Sequence, residues 1–376
     1  MKVLAPFGFY GWGNIGDEST LQGFARLVKQ HRRRLKVWVA SQNPAHTAKV
    51  EPSFSYFQNG AGGLRSRWAA NTAKAQVIAG GTPIMDNLGD WPLTELVPLV
   101  RSSVAARVPF ACVGVGVETL RQESSRRLVT TELAPHIAHW SVRGLRDRDR
   151  LVDLGVPSAR ITIAADMAWL LAPVDTAFGL RTLAPLRPAN DRRLVVGVNL
   201  NLERSMLQQQ PRLTSIVACA LDRLIETHRA AIVFLCNEIR EGDTFDKAAA
   251  LAVRAQMKRG DQAVMVPNEY FSPQEMQSLI GCCDLTISSR YHFCLFSALQ
   301  RVPFLALTRS DKVRDLCVDL AVEGASLADL DVEPLWRRVT CLHEKRQRSS
   351  LALASRVDQL RARATANQLA LESLAG

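Results

Sequence analysis

No stretch of the 376 residues runs to the about 20 apolar side chains that a helix needs to cross a bilayer. Nor does the opening Met1-Lys-Val-Leu-Ala-Pro-Phe-Gly8 combine a basic segment, an apolar stretch and a small-residue cleavage site. It reads as a first buried strand, and a cytoplasmic protein is expected. The eight cysteines, at positions 112, 219, 236, 282, 283, 294, 317 and 341, form no C-x-x-C pair and no Cys/His cluster. Neither a disulfide framework nor structural zinc is expected, only thiols kept reduced. His136 and His139 share one face of a helical pattern but lack a third ligand nearby, so no metal is expected. Aromatic residues make up 6% of the chain and do not alternate with basic ones as a single-strand nucleic-acid platform requires. Nucleic acid is therefore not an expected partner. Acidic charge is in deficit, with 36 Asp and Glu against 47 Lys and Arg, a formal charge of +11. Such a balance suits small anions or an anionic membrane surface. Apart from His31–Arg34 and Lys345–Arg348 the basic residues are scattered, as on a solvated face that could rest on lipid headgroups. The hydrophobic share of 47% argues for a packed core rather than disorder, and the length allows two domains.

Strand and helix signals alternate along the chain. Strands are expected at 3–9, 35–40, 76–79, 110–115, near 141–143 and at 161–164, with helices from about 21 and at 64–75, 93–106, 124–137 and 144–154. A stretch rich in Pro, Arg and small residues, without a clear period, follows. A second series places strands at 194–199, 231–236, 263–266, 285–287 and 303–306, and helices at 213–227, 246–258, 273–280 and 312–320. The expected class is α/β, two doubly wound Rossmann-like domains facing a cleft in a GT-B-like architecture with a C-terminal helical tail. The divisions are 1–172 for the N-terminal domain, 173–193 for a linker, 194–345 for the C-terminal domain and 346–376 for a C-terminal helix.

Three stretches fall at the carboxyl ends of strands, where such sheets bind ligands. Gly11, Gly13 and Gly16 fit G-x-G-x-x-G between a strand and a helix, a layout whose backbone N–H groups cradle phosphate or carboxylate. The second strand ends in Ser41-Gln-Asn-Pro rather than in an acidic residue, which disfavours a dinucleotide. Gly80-Gly81-Thr82-Pro83-Ile-Met-Asp86 is a second glycine turn. In Asp284-Leu-Thr-Ile-Ser-Ser-Arg290-Tyr-His292, a short apolar strand runs into a helix, with Ser288 or Ser289 as the expected N-cap. Arg290 and His292 would stand at the helix mouth, pairing a fixed cation with a side-chain type that titrates near neutrality. An arginine that caps a carbonyl and a surface histidine would leave the same pattern. Asp17 similarly reads either as a base or as the cap of the first helix.

Several of these motifs together resemble the polysaccharide pyruvyltransferases. Gly8-Phe-Tyr10-Gly-Trp-Gly13-Asn14-Ile-Gly16-Asp17-Glu18 is similar to the family's G-Y-Y-G-x-G-N-x-G-D-E signature, and the turn at Gly80-Gly81 to its G-G-G-x-hydrophobic-x-D segment. Ser141-Val-Arg143, Ala165-Asp166-Met-Ala-Trp-Leu170 and Arg290-Tyr-His292 resemble its S-V-R, D-P-x-x-L and R-x-H segments. The resemblance implies transfer of the enolpyruvyl skeleton of phosphoenolpyruvate to a saccharide as a ketal, with phosphate released. No metal or redox cofactor is implied, and phosphoenolpyruvate enters as co-substrate. The saccharide acceptor belongs to a cell-envelope or extracellular polysaccharide, or to its lipid-linked precursor. Catalysis carries over to Arg290 and His292, with Asp17 or Glu18 as a base for the sugar hydroxyl. Substrate binding carries over to Arg143, Gly13, Asn14, Gly16, Gly80, Gly81 and Ser289. Two features depart from the pattern: Thr82-Pro83 replaces further glycine, and Asn199 and Asn201 stand where the family often has a more basic strand end. The alternatives are a GT-B glycosyltransferase using a nucleotide sugar, with Glu323-Gly324-Ala325 as its ribose site, and a catalytically silent binding partner.

Overall fold

The computed structural model describes residues 1–31, 34–58, 72–184, 194–267 and 269–375. Most of the helix expected at 64–75 and the second half of the expected linker lie outside them. The chain divides into two compact units, Met1–Leu171 with Gln359–Gly376, and Ala172–Asp358.

The first unit is built on a seven-stranded parallel sheet in the order β3-β2-β1-β4-β6-β7-β8. Its strands are β1 (Lys2–Phe7), β2 (Lys36–Ser41), β3 (Ser55–Gln58), β4 (Ala75–Ala79), β6 (Phe110–Val115), β7 (His139–Val142) and β8 (Ile161–Ile163), while the short β5 (Asn87–Asp90) follows the second glycine turn. The central strands are apolar on both faces, as a sheet covered on both sides requires. Val3, Ala5, Val39, Val77 and Val113 pack under Leu21, Phe24 and Leu27 of the helix Ile15–Gln30. On the other face Ile78, Cys112, Trp140 and Val142 meet Leu93, Leu96 and Val100 of the helix Leu93–Ala105. The helix Pro44–Val50 and strand β3 carry no strong period and were not expected. The helix expected at 124–137 stops at Leu128 and continues as a π turn, Val129–Leu133.

The second unit holds a six-stranded parallel sheet in the order β11-β10-β9-β12-β13-β14. The strands are β9 (Val195–Asn199), β10 (Ala231–Phe234), β11 (Ala263–Met265), β12 (Leu285–Ser288), β13 (Phe304–Thr308) and β14 (Gly324–Ser326). Val196, Val198, Ile232, Phe234, Ile287 and Leu307 pack against the helices Leu213–His228, Phe245–Gln256 and Val332–Glu344. Part of the expected linker is ordered here as the helix Ala177–Leu183, because Gly179 lets its backbone approach the helix Pro273–Gly281 and donate to Ser278 Oγ at 2.9 Å. In both sheets the strand order reverses once, between β1 and β4 and between β9 and β12. Doubly wound sheets bind ligands outside the carboxyl ends at that switch point.

The helix Arg346–Ala364 begins in the second unit and ends in the first. From Gln359 onward the tail is woven into the first unit. Arg361 donates to the carbonyls of Trp169 and Leu171 at 3.2 and 3.1 Å, and Arg363 to those of Ala164 and Arg143 at 2.8 Å each. Asn367, fully buried, accepts from Ser141 Oγ at 2.6 Å and donates to the carbonyls of Ala165 and Ala364 at 2.9 and 2.8 Å. Ser141 Oγ in turn accepts from Gly114 N–H at 2.8 Å. One amide thus satisfies polar groups on three segments that run beside Arg143. Asn367→Ala would remove all three of these buried hydrogen bonds and should lower unfolding stability by about 2 kcal/mol or more. Urea unfolding of the full chain checks this, and a loss below about 0.5 kcal/mol would rule out the bracing role.

Candidate functional site

At the switch point of the first sheet, the turn after β1 is shaped by Gly11 and Gly13, whose φ values are +75° and +86°. A Cβ on Gly11 would stand 2.3 Å from Asn43 N, so space as well as conformation requires glycine. The cap of the helix Ile15–Gln30 is Asn14, whose Oδ1 accepts from Gly16 N–H at 3.0 Å. Asp17 is not that cap. Its side chain lines a small cavity with Phe9, Thr20, Gly80, Gly81 and Thr82. Glu18, 1% exposed, spends Oε1 on Gly11 N–H at 2.7 Å and on Thr47 Oγ1 at 3.4 Å. Of the two acids, Glu18 holds the loop and Asp17 faces the cavity.

Gly80 and Gly81 continue β4 with φ of +82° and +74°. A Cβ on Gly80 would lie 2.0 Å from Thr20 Cγ2, which keeps this turn tight against the first helix. Gly116 N–H donates to the Gly81 carbonyl at 2.9 Å, and the position of a Gly116 Cβ would be 3.3 Å from Arg143 Nη1. Arg143, just past β7, is 7% exposed. Its Nη2 meets Asp166 Oδ2 at 2.8 Å and its Nε donates to the Gly114 carbonyl at 3.3 Å. Asp166 is fully buried and also accepts from Ala168 N–H at 2.8 Å and Thr20 Oγ1 at 3.4 Å. Gly13, Asn14, Gly16, Asp17, Gly80, Gly81 and Arg143 therefore all lie at the carboxyl ends of one sheet.

The second sheet repeats the device. Ser288, the last residue of β12, is in register with Asn199 of β9 and donates from Oγ to Asn199 Oδ1 at 3.0 Å. Neither Ser288 nor Ser289 caps the following helix. The N-cap is Arg290, because Ser288 Oγ turns back to accept Arg290 N–H at 3.0 Å and Ser289 Oγ accepts from Asn201 N–H at 3.1 Å. The Arg290 side chain is 7% exposed and clamped by two acids. Nε and Nη2 donate to Asp246 Oδ1 at 3.0 and 2.5 Å, and Nη2 lies 2.6 Å from Glu238 Oε2. Asp246, 1% exposed, accepts on Oδ2 from Asn199 Nδ2 and Asn237 N–H at 2.9 Å each and from Glu238 N–H at 3.0 Å. Burial alone would lower the Arg290 pKa, but Asp246 and Glu238 outweigh it and raise it well above the ordinary value. Arg290 is a permanent cation, and among the described residues its Nη1 has no partner. His292, two residues on, is half-buried with its ring edge-on to Tyr291 at 5.0 Å.

Cys236, next to this cluster, offers no thiolate: burial, then Asp246, push its pKa up to about 12. His139 is a strand residue bound to Thr162 Oγ1 at 2.8 Å. Among the described residues no group of three His, Cys, Asp or Glu side chains could hold a metal ion. No described helix is long and apolar enough to cross a membrane. Glu323 precedes β14, at the amino edge of the sheet and so at the opposite end from Arg290, where it pairs with Arg338. A ribose site at Glu323 would be remote from the R-x-H loop.

Four residues of the second cluster were not singled out from sequence: Asp246, Glu238 and the ion pair of Glu203 with Arg309, whose Nε donates to the Ser289 carbonyl at 3.1 Å. Asp246 begins an amphipathic helix, where an acid ordinarily signals a favourable dipole contact rather than a buried ion pair. Arg309 could have been noticed, since it directly follows the end of β13.

Two Rossmann-like units, each with a buried arginine–carboxylate pair beyond the carboxyl ends of its strands, define a GT-B-like architecture. The chain belongs to the polysaccharide pyruvyl transferase family, whose model matches residues 14–311. No curated protein matches the sequence. Among solved structures, the fold is similar to that of UDP-GlcNAc 2-epimerase from Neisseria meningitidis bound to UDP-GlcNAc, at 10% identity and TM-score 0.64, covering 100% of both chains. It is similar also to Anabaena Alr3699/HepE in complex with UDP-glucose, at 13% identity and TM-score 0.66, covering 100% of this chain and 99% of that one.

Replacing Asp166 by Ala would remove the carboxylate that the buried Arg143 meets at 2.8 Å. Removing one partner of a buried pair typically costs about 3–5 kcal/mol. Denaturant unfolding of Asp166→Ala should show a loss in that range, and a change under about 1 kcal/mol would mean that Arg143 can turn out to solvent.

Proposed function

We propose that this protein transfers the enolpyruvyl skeleton of phosphoenolpyruvate to a saccharide of a cell-envelope or extracellular polysaccharide, or to its lipid-linked precursor. The product is a cyclic ketal and the leaving group is inorganic phosphate. The observation that supports this most is the orientation of Arg290: Asp246 and Glu238 occupy Nε and Nη2 and leave Nη1 for a ligand at the N-terminus of a helix. Helix N–H groups and a guanidinium together favour a phosphate or carboxylate. The first unit carries anion-binding elements of its own, Arg143 and the glycine turns at Gly13–Gly16 and Gly80–Gly81, whose backbone N–H groups suit a charged group of a substrate.

In this reading His292 delivers a proton to the methylene carbon of the donor. The adjacent carbon then has oxocarbenium character and a sugar hydroxyl attacks it, its proton passing to a phosphate oxygen. A second hydroxyl closes the ketal as the C–O bond to phosphate breaks; phosphate leaves with the bonding electrons, and the second hydroxyl's proton passes to His292, which gave up its own in the first step. Each proton has a carrier and no net oxidation occurs, so the reaction calls for no redox cofactor. An acceptor carried on lipid would bring the basic surface of the protein to an anionic membrane face.

Calorimetric titration of the purified chain with phosphoenolpyruvate, beside a panel of nucleotide sugars, tests the donor. Binding of phosphoenolpyruvate is expected in the wild type and in His292→Ala, and its loss in Arg290→Ala. His292→Ala should lower single-turnover ketal formation by about 100-fold or more, the usual size of a lost general acid. Binding of a nucleotide sugar with no response to phosphoenolpyruvate would overturn the reading in favour of glycosyl transfer.

A further inference from the structure

Arg309 stands immediately after β13, the strand that neighbours β12, so its backbone leaves the sheet beside the loop that carries Arg290. Neighbouring strands lie about 4.8 Å apart, a spacing comparable to that between the carboxylate and the phosphate on a three-carbon acid. Its side chain is 9% exposed and its conformation is set at two points. Nε donates to the Ser289 carbonyl at 3.1 Å, which ties Arg309 to the residue before Arg290. Nη1 pairs with Glu203. Among the described residues Nη2 has no partner, the same arrangement as at Arg290, where one guanidinium nitrogen is left while the others are held.

Glu203 differs from the acids that clamp Arg290. Asp246 and Glu238 have side chains 1% and 10% exposed, whereas the Glu203 side chain is 32% exposed. Oε1 accepts from Asn201 Nδ2 at 3.1 Å. Burial would raise its pKa, but Arg309, Arg290, the hydrogen bond from Arg309 and Lys312 together lower it below the ordinary carboxylate value. One partly exposed carboxylate sits in the field of three cations. A carboxylate so placed is in competition with any anionic ligand that those cations attract.

We propose that Arg309 is a second donor-binding residue, holding the anionic end of phosphoenolpyruvate that Arg290 does not, and that Glu203 competes with the donor for it. This rests on the phosphoenolpyruvate reading above and adds to it a residue outside the R-x-H, S-V-R and glycine motifs. It also gives the second unit both cations needed for a ligand charged at two ends.

The test is calorimetric titration of the full chain with phosphoenolpyruvate, and with inorganic phosphate as a one-ended probe, in the wild type, Arg290→Ala, Arg309→Gln and Glu203→Gln. Arg309→Gln should weaken phosphoenolpyruvate at least 10-fold, whereas Glu203→Gln should tighten it about threefold or more by removing the competitor. Inorganic phosphate should lose less than phosphoenolpyruvate does in at least one of the two arginine variants, because a one-ended ligand needs only one of them. If Arg309→Gln binds within twofold of wild type while Arg290→Ala does not bind, Arg309 is scaffold and this inference fails with the donor reading intact. If Glu203→Gln weakens binding as Arg309→Gln does, Glu203 positions Arg309 and the competition is wrong. A wild type that ignores phosphoenolpyruvate overturns both readings together. Should Arg309→Gln fail to fold, as thermal unfolding would show, Arg309→Lys serves instead. It keeps a cation but cannot reach Ser289, Glu203 and the donor at once, and the same 10-fold loss is expected.

Discussion

The constraint on which the two candidate sites depend is the burial of a guanidinium beside a carboxylate. A charge taken out of water is costly unless it is paired and hydrogen-bonded on its remaining edges. Arg143 and Arg290 are each paired with a buried aspartate that is itself held in place, by Ala168 N–H and Thr20 in one case and by Asn199, Asn237 N–H and Glu238 N–H in the other. The acids fix the direction of each planar fork. What the arginine then presents to a ligand is a chosen N–H direction more than raw charge, which suits recognition of carboxylate and phosphate oxygens.

The rest of each unit can be read as support for that pairing. In the first, Gly80 brings the turn after β4 close enough for Thr20 to reach Asp166, and any Cβ there would strike Thr20 itself. The C-terminal tail comes back to bind the carbonyl of Arg143 through Arg363 and to brace Ser141 through Asn367. In the second, Asn199 lies opposite Ser288 because the β9 and β12 registers match, and its amide joins the strand end to Asp246. A more basic residue at 199 would put a cation against Arg290. The asparagine instead accepts from Ser288 and donates to Asp246, which explains in terms of hydrogen bonds why the strand end is neutral here.

Much of this was legible in the sequence, for physical reasons that differ by element. Buried parallel strands such as 110–115 and 285–287 declare themselves as short apolar runs, and glycines with positive φ mark turns where no other residue fits. The position of Arg290 at a helix mouth followed from the change of period after Ile287. Its counter-charges did not, because Asp246 and Glu238 are 44 and 52 positions away and no local pattern pairs them. The same holds for Asn367, which lies 226 positions from Ser141 and reads as an ordinary polar residue in a helical tail. Short elements such as Pro44–Val50 and β3 are stabilised by neighbours rather than by their own propensity, so periodicity passes over them. Ser288 looked like a cap because serine usually is one; here a strand partner, Asn199, takes its donor proton and leaves its oxygen for the Arg290 N–H.

The excess of arginine over acid therefore means less for the sites than for the surface. Within the second cluster the cations Arg240, Arg290, Arg309 and Lys312 stand against Glu238, Asp246 and Glu203, four of one sign to three of the other. An anion arriving there gains little from net charge and must gain from geometry, from the N–H groups left over and from the helix N-terminus. A site so balanced discriminates by shape: a ligand with one anionic end can satisfy one guanidinium, whereas a rigid ligand with two ends at the spacing of adjacent strands can satisfy two. On the proposed phosphoenolpyruvate reading, long-range attraction of the donor belongs to the scattered basic surface, and its selection to the paired arginines.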